Sequence, residues 1–319
     1  MAEPLRPGRS CPLDYRYGAA ALAAPASLCA DTLWVVGGVY GNGCALERVL
    51  ADFDAEPGDK ALVFNGDFHW FDVAYDEFVR VNQAVLAHRA TRGNVESELA
   101  RPQAQAGCGC AYPDWVEEQT VERSNRIIGR LQATARAVPG ACAQLGALPM
   151  YLVAQVGGAR VAIVHGDGDA LAGWGFSQEA LATPAGLAAA ERAFDAAGAR
   201  VFASSHSCLP VLQGFSGDRA LVNNGAAGMP NFAATRFGIA TRISVAPSAA
   251  ALYRMRVGAL YVEAVAIDFD VQRWTQRFLE QWPPGSDAHD AYFSRILNGP
   301  RYRRAQALRR FEAGAAVAA

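Results

Sequence analysis

Apolar positions along the chain follow two periods. Leu33–Val36, Ala61–Asn65, Met150–Gln155, Arg160–His165 and Val201–Ser204 are short β-type runs with little polar alternation, which is the pattern of strands buried on both faces. Between them, Cys44–Phe53, Ala74–Ala90, Val116–Ala137 and Ala185–Ala197 carry helical spacing, with Phe78, Val81 and Val85 on one face of the second. Ala90–Gly93 reads as a short strand entering a turn. Gly157-Gly158 joins two β-type runs and predicts a hairpin. Leu209–Leu212 and Arg219–Asn223 continue as strands. Arg242–Val245, Leu252–Val257 and Leu260–Phe269 alternate like antiparallel strands, and the chain from Val271 onward reads as helical.

Strands alternating with helices, followed by hairpins, predict a layered α/β fold with mixed β-sheets flanked by helices. The 319 residues suffice for one large domain. We place it at residues 33–270, with an irregular N-terminal arm (1–32) and a helical C-terminal tail (271–319). Residues 96–137 read as a cap or insertion. Their first part, up to Asp114, has many small residues and little periodicity.

A net charge of −2 gives no reason to expect capture of nucleic acid or of an anionic membrane. No apolar run is long enough to span a bilayer. Gly18–Ala30, the one stretch resembling a secretory core, runs almost directly into the first strand, so a cytoplasmic protein is expected. Seven scattered cysteines fit free thiols or ligands better than a disulfide framework. The expected partner is a small molecule, and the sequence leaves the oligomeric state open.

Five polar blocks follow β-type runs: Gly37–Asn42 (GGVYGN), Asn65–Asp72 (NGDFHWFD), Gly93–Glu96 (GNVE), Val164–Asp167 (VHGD) and Ser205–Cys208 (SHSC). Ligands of open α/β sheets gather at the carboxyl ends of strands, so these blocks can converge on one site. Their order and spacing resemble the calcineurin-like metallophosphoesterases, which carry D-x-H, G-D-x-x-D, G-N-H-[ED], a lone His and G-H-x-H at strand ends. The resemblance covers about Leu33 to Asp270. It implies a metallophosphoesterase-like fold and a site for two adjacent metal ions.

Carried over position by position, the resemblance makes Asp67 the carboxylate shared by both ions. Asn94, His165 and His206 complete the second position. Such an oxygen and nitrogen set suits a divalent or trivalent transition metal (Mn, Fe, Zn or Co), one ion per chain. The first position departs from the pattern. Gly38, Tyr40 and Cys208 stand where the family has Asp, His and His, and Val95 replaces the imidazole that contacts the substrate. Asp67 with Tyr40, His69 and Cys208 forms the candidate catalytic set, the last three lining the altered first position. Asn42 and Arg92 are candidates for positioning an anionic group. His69 either reaches the altered position or hydrogen-bonds locally. Cys108 and Cys110 either join Cys208 as thiols at the site or are buried structural residues. Asp167 and Asp169 either orient an imidazole or form a turn.

Three functions follow from this pattern. The first is a metal-dependent hydrolase of a small phosphoester or related anion. The second is a redox or lyase enzyme on the same fold. The third is a non-catalytic member that binds a ligand through the altered site.

Overall fold

Two mixed sheets lie face to face, with helices on their outer sides, in a computed structural model that describes residues 6–310. The outermost parts of the arm (1–5) and tail (311–319) lie outside the described residues. In chain order, β1 (Leu28–Ala30), β2 (Thr32–Val36), α1 (Gly43–Asp54), β3 (Lys60–Asn65), α2 (Tyr75–Leu86), β4 (Arg89–Thr91) and α3 (Asn94–Ala100) come first. Next come α4 (Glu118–Ala137), α5 (Ala141–Gly146), β5 (Tyr151–Val156), β6 (Ala159–Val164), α6 (Pro184–Ala197), β7 (Val201–Ser204), β8 (Val211–Phe215) and β9 (Arg219–Asn223). The chain closes with β10 (Gly238–Ser244), β11 (Ala251–Val257), β12 (Leu260–Ile267), α7 (Val271–Gln281), α8 (Asp287–Asn298) and β13 (Leu308–Arg309).

One sheet has the order β11-β12-β10-β2-β3-β4, the other β1-β5-β6-β7-β9-β8-β13. Val35 and Val63 of the first pack between the sheets against Ile163, Ala203 and Val222 of the second. Leu62 and Phe64 point the other way, into a core with Val49, Phe78, Val81 and Phe278 of the helices. Phe202 and Leu221 do the same on the outer side of the second sheet, against Ala190 and Phe194 of α6. Each central strand thus buries both faces, which is why its sequence lacks polar alternation.

The helix ends follow local chemistry. Asn42 caps α1 through the N–H groups of Cys44 and Ala45, and Thr183 caps α6 ahead of Pro184.

The structure corrects four readings. Leu28–Ala30 is not irregular: it pairs parallel with Ala154–Val156 of β5. The stretch from Glu96 is not all loop, because α3 runs to Ala100. α2 ends at Leu86, and β4 begins before Ala90. The tail is not helical throughout, because Leu308–Arg309 pairs with β8. Two- and three-residue strands are too short to show a period. α4 belongs to the core, with Ile127, Ile128 and Leu131 buried against the same cluster as α1 and α2. No helix among the described residues is long and apolar enough to cross a membrane.

Candidate functional site

Four strand ends meet. β3 and β4 of one sheet deliver Asp67 and Asn94, and β6 and β7 of the other deliver His165 and His206. The turn after β3 makes this possible. Gly66 has φ +72°, and a Cβ there would lie 2.5 Å from the Gly93 nitrogen and 2.7 Å from His165 Nδ1, so nothing larger fits. Asp67 itself is left-handed at φ 51°. Such a conformation costs a non-glycine residue about 1–3 kcal/mol and is found mostly where function requires it.

The donor atoms converge on His165. Its Nε2 lies 3.3 Å from Asp67 Oδ2, 3.2 Å from Asn94 Oδ1 and 3.1 Å from His206 Nδ1. Asp67, His165 and His206 each place a ligand atom within 4.8 Å of the others. The remaining nitrogens fix the tautomers. His165 Nδ1 donates to the Asn65 carbonyl at 2.9 Å, and His206 Nε2 donates to the Cys110 carbonyl at 3.0 Å. Asn94 Nδ2 donates to the Cys108 carbonyl, which turns Oδ1 toward the cluster. Four lone-pair atoms therefore face one another with at most one proton, on His165 Nε2, to share among them. A bound cation resolves that arrangement, and the donor set fits a transition metal.

The electrostatics agree. Burial disfavours charge on Asp67, but His165 and His206 hold its carboxyl below the ordinary value. Burial likewise opposes charge on His165, yet Asp67 raises its pKa above the ordinary value. Burial and the charge of His165 lower His206 to about 4, which keeps it neutral and ligand-ready.

Behind these donors lies Glu96, the last residue of the GNVE block, whose role in holding the site no residue pattern in that block reveals. Its fully buried carboxylate accepts from the backbone N–H groups of Asp67, Phe68, His69 and Gly93 at 2.8, 3.0, 3.3 and 2.8 Å. Burial and the charge of Asp67 push Glu96 upward, but all four partners are donors, so the pocket is built for the ionised form. A glutamate at the third position of a helix is a capping signal that the sequence carries.

The space over Gly38 is filled. The Tyr40 ring lies across Gly38, where a Cβ would meet Tyr40 Cε2 at 2.8 Å. Tyr40 Oη and Cys208 Sγ are 2.7 Å apart, and Cys208 Sγ donates to the His206 carbonyl at 3.2 Å. Burial pushes both groups up, Tyr40 well above its usual value. They are therefore a neutral phenol and thiol bonded to each other. Tyr40, Asp67 and Cys208, all left-handed non-glycine residues, line one cavity. The cavity is small, about 40 Å³, or roughly three water positions at 10–15 Å³ each. Cys110 also lines it, whereas Cys108 belongs to the hydrophobic core beside α4.

Three proposed site residues lie elsewhere. Asn42 is fully buried, with its oxygen capping α1 and its amide donating to the Gly228 carbonyl at 2.9 Å, so it positions no anion. Arg92 donates to the Gly146 carbonyl and lines a separate surface pocket with Asp14 and Arg101. His69 is stacked on Phe78, with Nδ1 2.6 Å from Asp72 and Nε2 3.3 Å from the Asn82 oxygen. Of its two readings, the local one describes the structure. Asp167 accepts from the N–H groups of Asp169, Ala170 and Gly175, so it is a turn residue.

The His69–Asp72 pair gives a pH-dependent prediction. Burial opposes its charge, but Asp72 raises the His69 pKa above the ordinary 6.5. A raised folded value means the stabilisation is fully present below about pH 6.5 and is lost as pH rises through the folded value. Asp72→Asn should therefore lower the melting temperature most near pH 6 and progressively less toward pH 9. Thermal melts of both proteins measure this, and a gap that does not change with pH would show the pair is uncharged.

Solved structures give the fold its relatives. A metallophosphoesterase from Sphaerobacter thermophilus superposes with a TM-score of 0.54 at 16% identity, covering 84% of this chain and 100% of its own. A hypothetical protein from Pyrococcus horikoshii OT3 superposes with a TM-score of 0.55 at 14% identity, covering 86% of this chain and 99% of its own. The chain has the metallophosphoesterase fold. No protein-family model matches it, and no curated protein does. On that fold, the strand ends bring Asp67, Asn94, His165 and His206 together, and Tyr40 and Cys208 bond to each other beside them.

Proposed function

We propose that this protein is a metal-dependent hydrolase acting on a small phosphoester or related anion, with one ion held by Asp67, Asn94, His165 and His206. The observation that carries the reading is the convergence of four lone-pair atoms on a buried point with one proton at most between them. The likeness to a metallophosphoesterase supports the reaction class. When bound, the ion would polarise a substrate oxygen and lower the pKa of a water.

The chain's own residues supply position and exclusion. The Asn65 and Cys110 carbonyls orient the two imidazoles. Glu96 holds the Asp67 turn. Tyr40 and Cys208 keep a second ion and its waters out. Val95 lines the cavity and can neither donate nor accept a proton, so the leaving group receives no imidazole assistance from that position.

The test is metal content together with turnover. Elemental analysis of protein loaded with manganese should give about one ion per chain. The variant Gly38→Asp, Tyr40→His, Cys208→His, which removes the blocking ring and restores three donors, should bind about two. Loaded wild type should hydrolyse an activated bis-aryl phosphate ester, and chelated protein should not. Wild type that retains no ion, or a loaded protein that cleaves no ester, rejects the proposal.

A further inference from the structure

The metal-centre reading above says which atoms would hold an ion; the walls around them say what else fits. The cavity over Asp67, Asn94 and His206 is lined by Trp70, Val95, Tyr112, Trp174, Met229 and Tyr292, with Tyr40, Cys110 and Cys208 completing it. No lysine or arginine is among these lining residues. Arg295 lies behind Cys208, where it donates to the Cys208 and Pro230 carbonyls at 2.6 and 3.3 Å, and its positive charge reaches the Tyr40 and Cys208 groups of the cavity wall.

This arrangement limits the ligand's charge. Asp67 carries one negative charge, the two imidazoles and the amide would be neutral as ligands, and the buried negative charge of Glu96 and the positive charge of Arg295 offset each other. A divalent ion would leave a single positive charge facing the cavity. A monoanion balances it. A dianion would leave one uncompensated negative charge among aromatic and aliphatic walls, which is strongly unfavourable.

The rim limits the ligand's shape. Tyr112, Trp174 and Tyr292 line the cavity and are half-buried, so each also reaches the surface. Trp115 continues them outward: it is 59% exposed and packs edge-on against Trp174, with ring centroids 5.7 Å apart. Beyond that contact most of the Trp115 ring is open to solvent and free to meet a ligand. Trp174 is held in place by its own N–H, which donates to the Cys110 carbonyl that also orients His206. The aromatic rim is therefore fixed relative to the donor atoms.

Resting on the metal-centre reading, we propose that the ligand is a phosphodiester monoanion bearing an aromatic arm, its phosphoryl group in the cavity and its arm across Tyr112, Trp174, Tyr292 and Trp115. A cavity of about 40 Å³ holds the phosphoryl oxygens and little more, so the arm lies at the rim. Phosphomonoesters, dianionic above neutral pH, are the excluded class.

Binding separates this proposal from the hydrolase reading. Manganese-loaded protein is titrated at about pH 8 with diphenyl phosphate, phenyl phosphate and inorganic phosphate, followed by the fluorescence of the tryptophans at the cavity. Diphenyl phosphate should bind at least tenfold more tightly than either of the others. Trp115→Ala removes an exposed ring and leaves the core intact. It should weaken diphenyl phosphate about two- to tenfold, in the range of an aromatic contact, and leave inorganic phosphate unchanged. Val95→Arg places a cation in the wall and should narrow or reverse the preference. Equal or tighter binding of phenyl phosphate, or no binding of diphenyl phosphate at full metal occupancy, overturns the proposal without touching the metal site. Selective binding with no cleavage of a bis-aryl phosphate overturns hydrolysis and leaves the ligand class standing.

Discussion

Asp67→Ala and His206→Ala should stay folded and fail to retain a metal ion, with affinity lowered at least about a hundredfold. Loss of outer-shell support alone costs about 10- to 100-fold, and these changes remove the ligand atoms themselves. No neighbour can substitute. Asp67 sits on a left-handed turn that points only its own carboxylate at His165. His206 presents Nδ1 because its other nitrogen is tied to Cys110. His165→Ala should behave likewise. His69, the one imidazole nearby in sequence, is engaged by Asp72 and Asn82 and gives no rescue. Elemental analysis after manganese loading and desalting, with circular dichroism as the check on folding, measures this. A folded Asp67→Ala or His206→Ala protein with full metal content would sink the assignment of ligands.

Glu96→Ala should be the most destabilising single substitution in the turn region. It leaves the N–H groups of Asp67, Phe68, His69 and Gly93 buried without their acceptor. Each unanswered group costs about 1–3 kcal/mol, and water entering the new cavity offsets part of that, so a loss of about 4 kcal/mol or more is expected. Glu96→Gln keeps one acceptor oxygen but points an amide donor at other donors, so its loss should be intermediate. Urea unfolding of the metal-free proteins measures both. A loss below about 1 kcal/mol for Glu96→Ala would mean that the carboxylate does not hold the turn.

The sequence carried the fold because its signal was redundant. β2, β3, β6 and β7 each bury both faces, and each is followed by a glycine- or serine-containing polar block. The meeting of Asp67, Asn94, His165 and His206 was legible for the same reason: each follows a strand closely, and strand ends converge. What stayed hidden depends on partners distant in sequence or on volume. Asp67-Phe68-His69 has the spacing of a metal motif, and only the positions of Asn82 and Phe78 show that the imidazole turns into the core. Asn42 is an N-cap by spacing, but its chemistry also suits an anion. The packing of Tyr40 over Gly38 is a question of volume, which no residue pattern encodes. Trp70, Trp115, Trp174 and Tyr292 come from four segments and meet only in space. The Leu28–Ala30 strand was missed because three residues are too few to show a period.

The four donors belong to two sheets that share no strand: Asp67 and Asn94 hang from one, His165 and His206 from the other. An ion between them would thus act as a rivet through the middle of the molecule, tying together chain segments that nothing else at that edge joins covalently. Ligands that bind only the native form raise its stability in proportion to the logarithm of their free concentration. In a cell short of the metal, the protein would then lose durability along with activity, and its abundance would follow the metal supply.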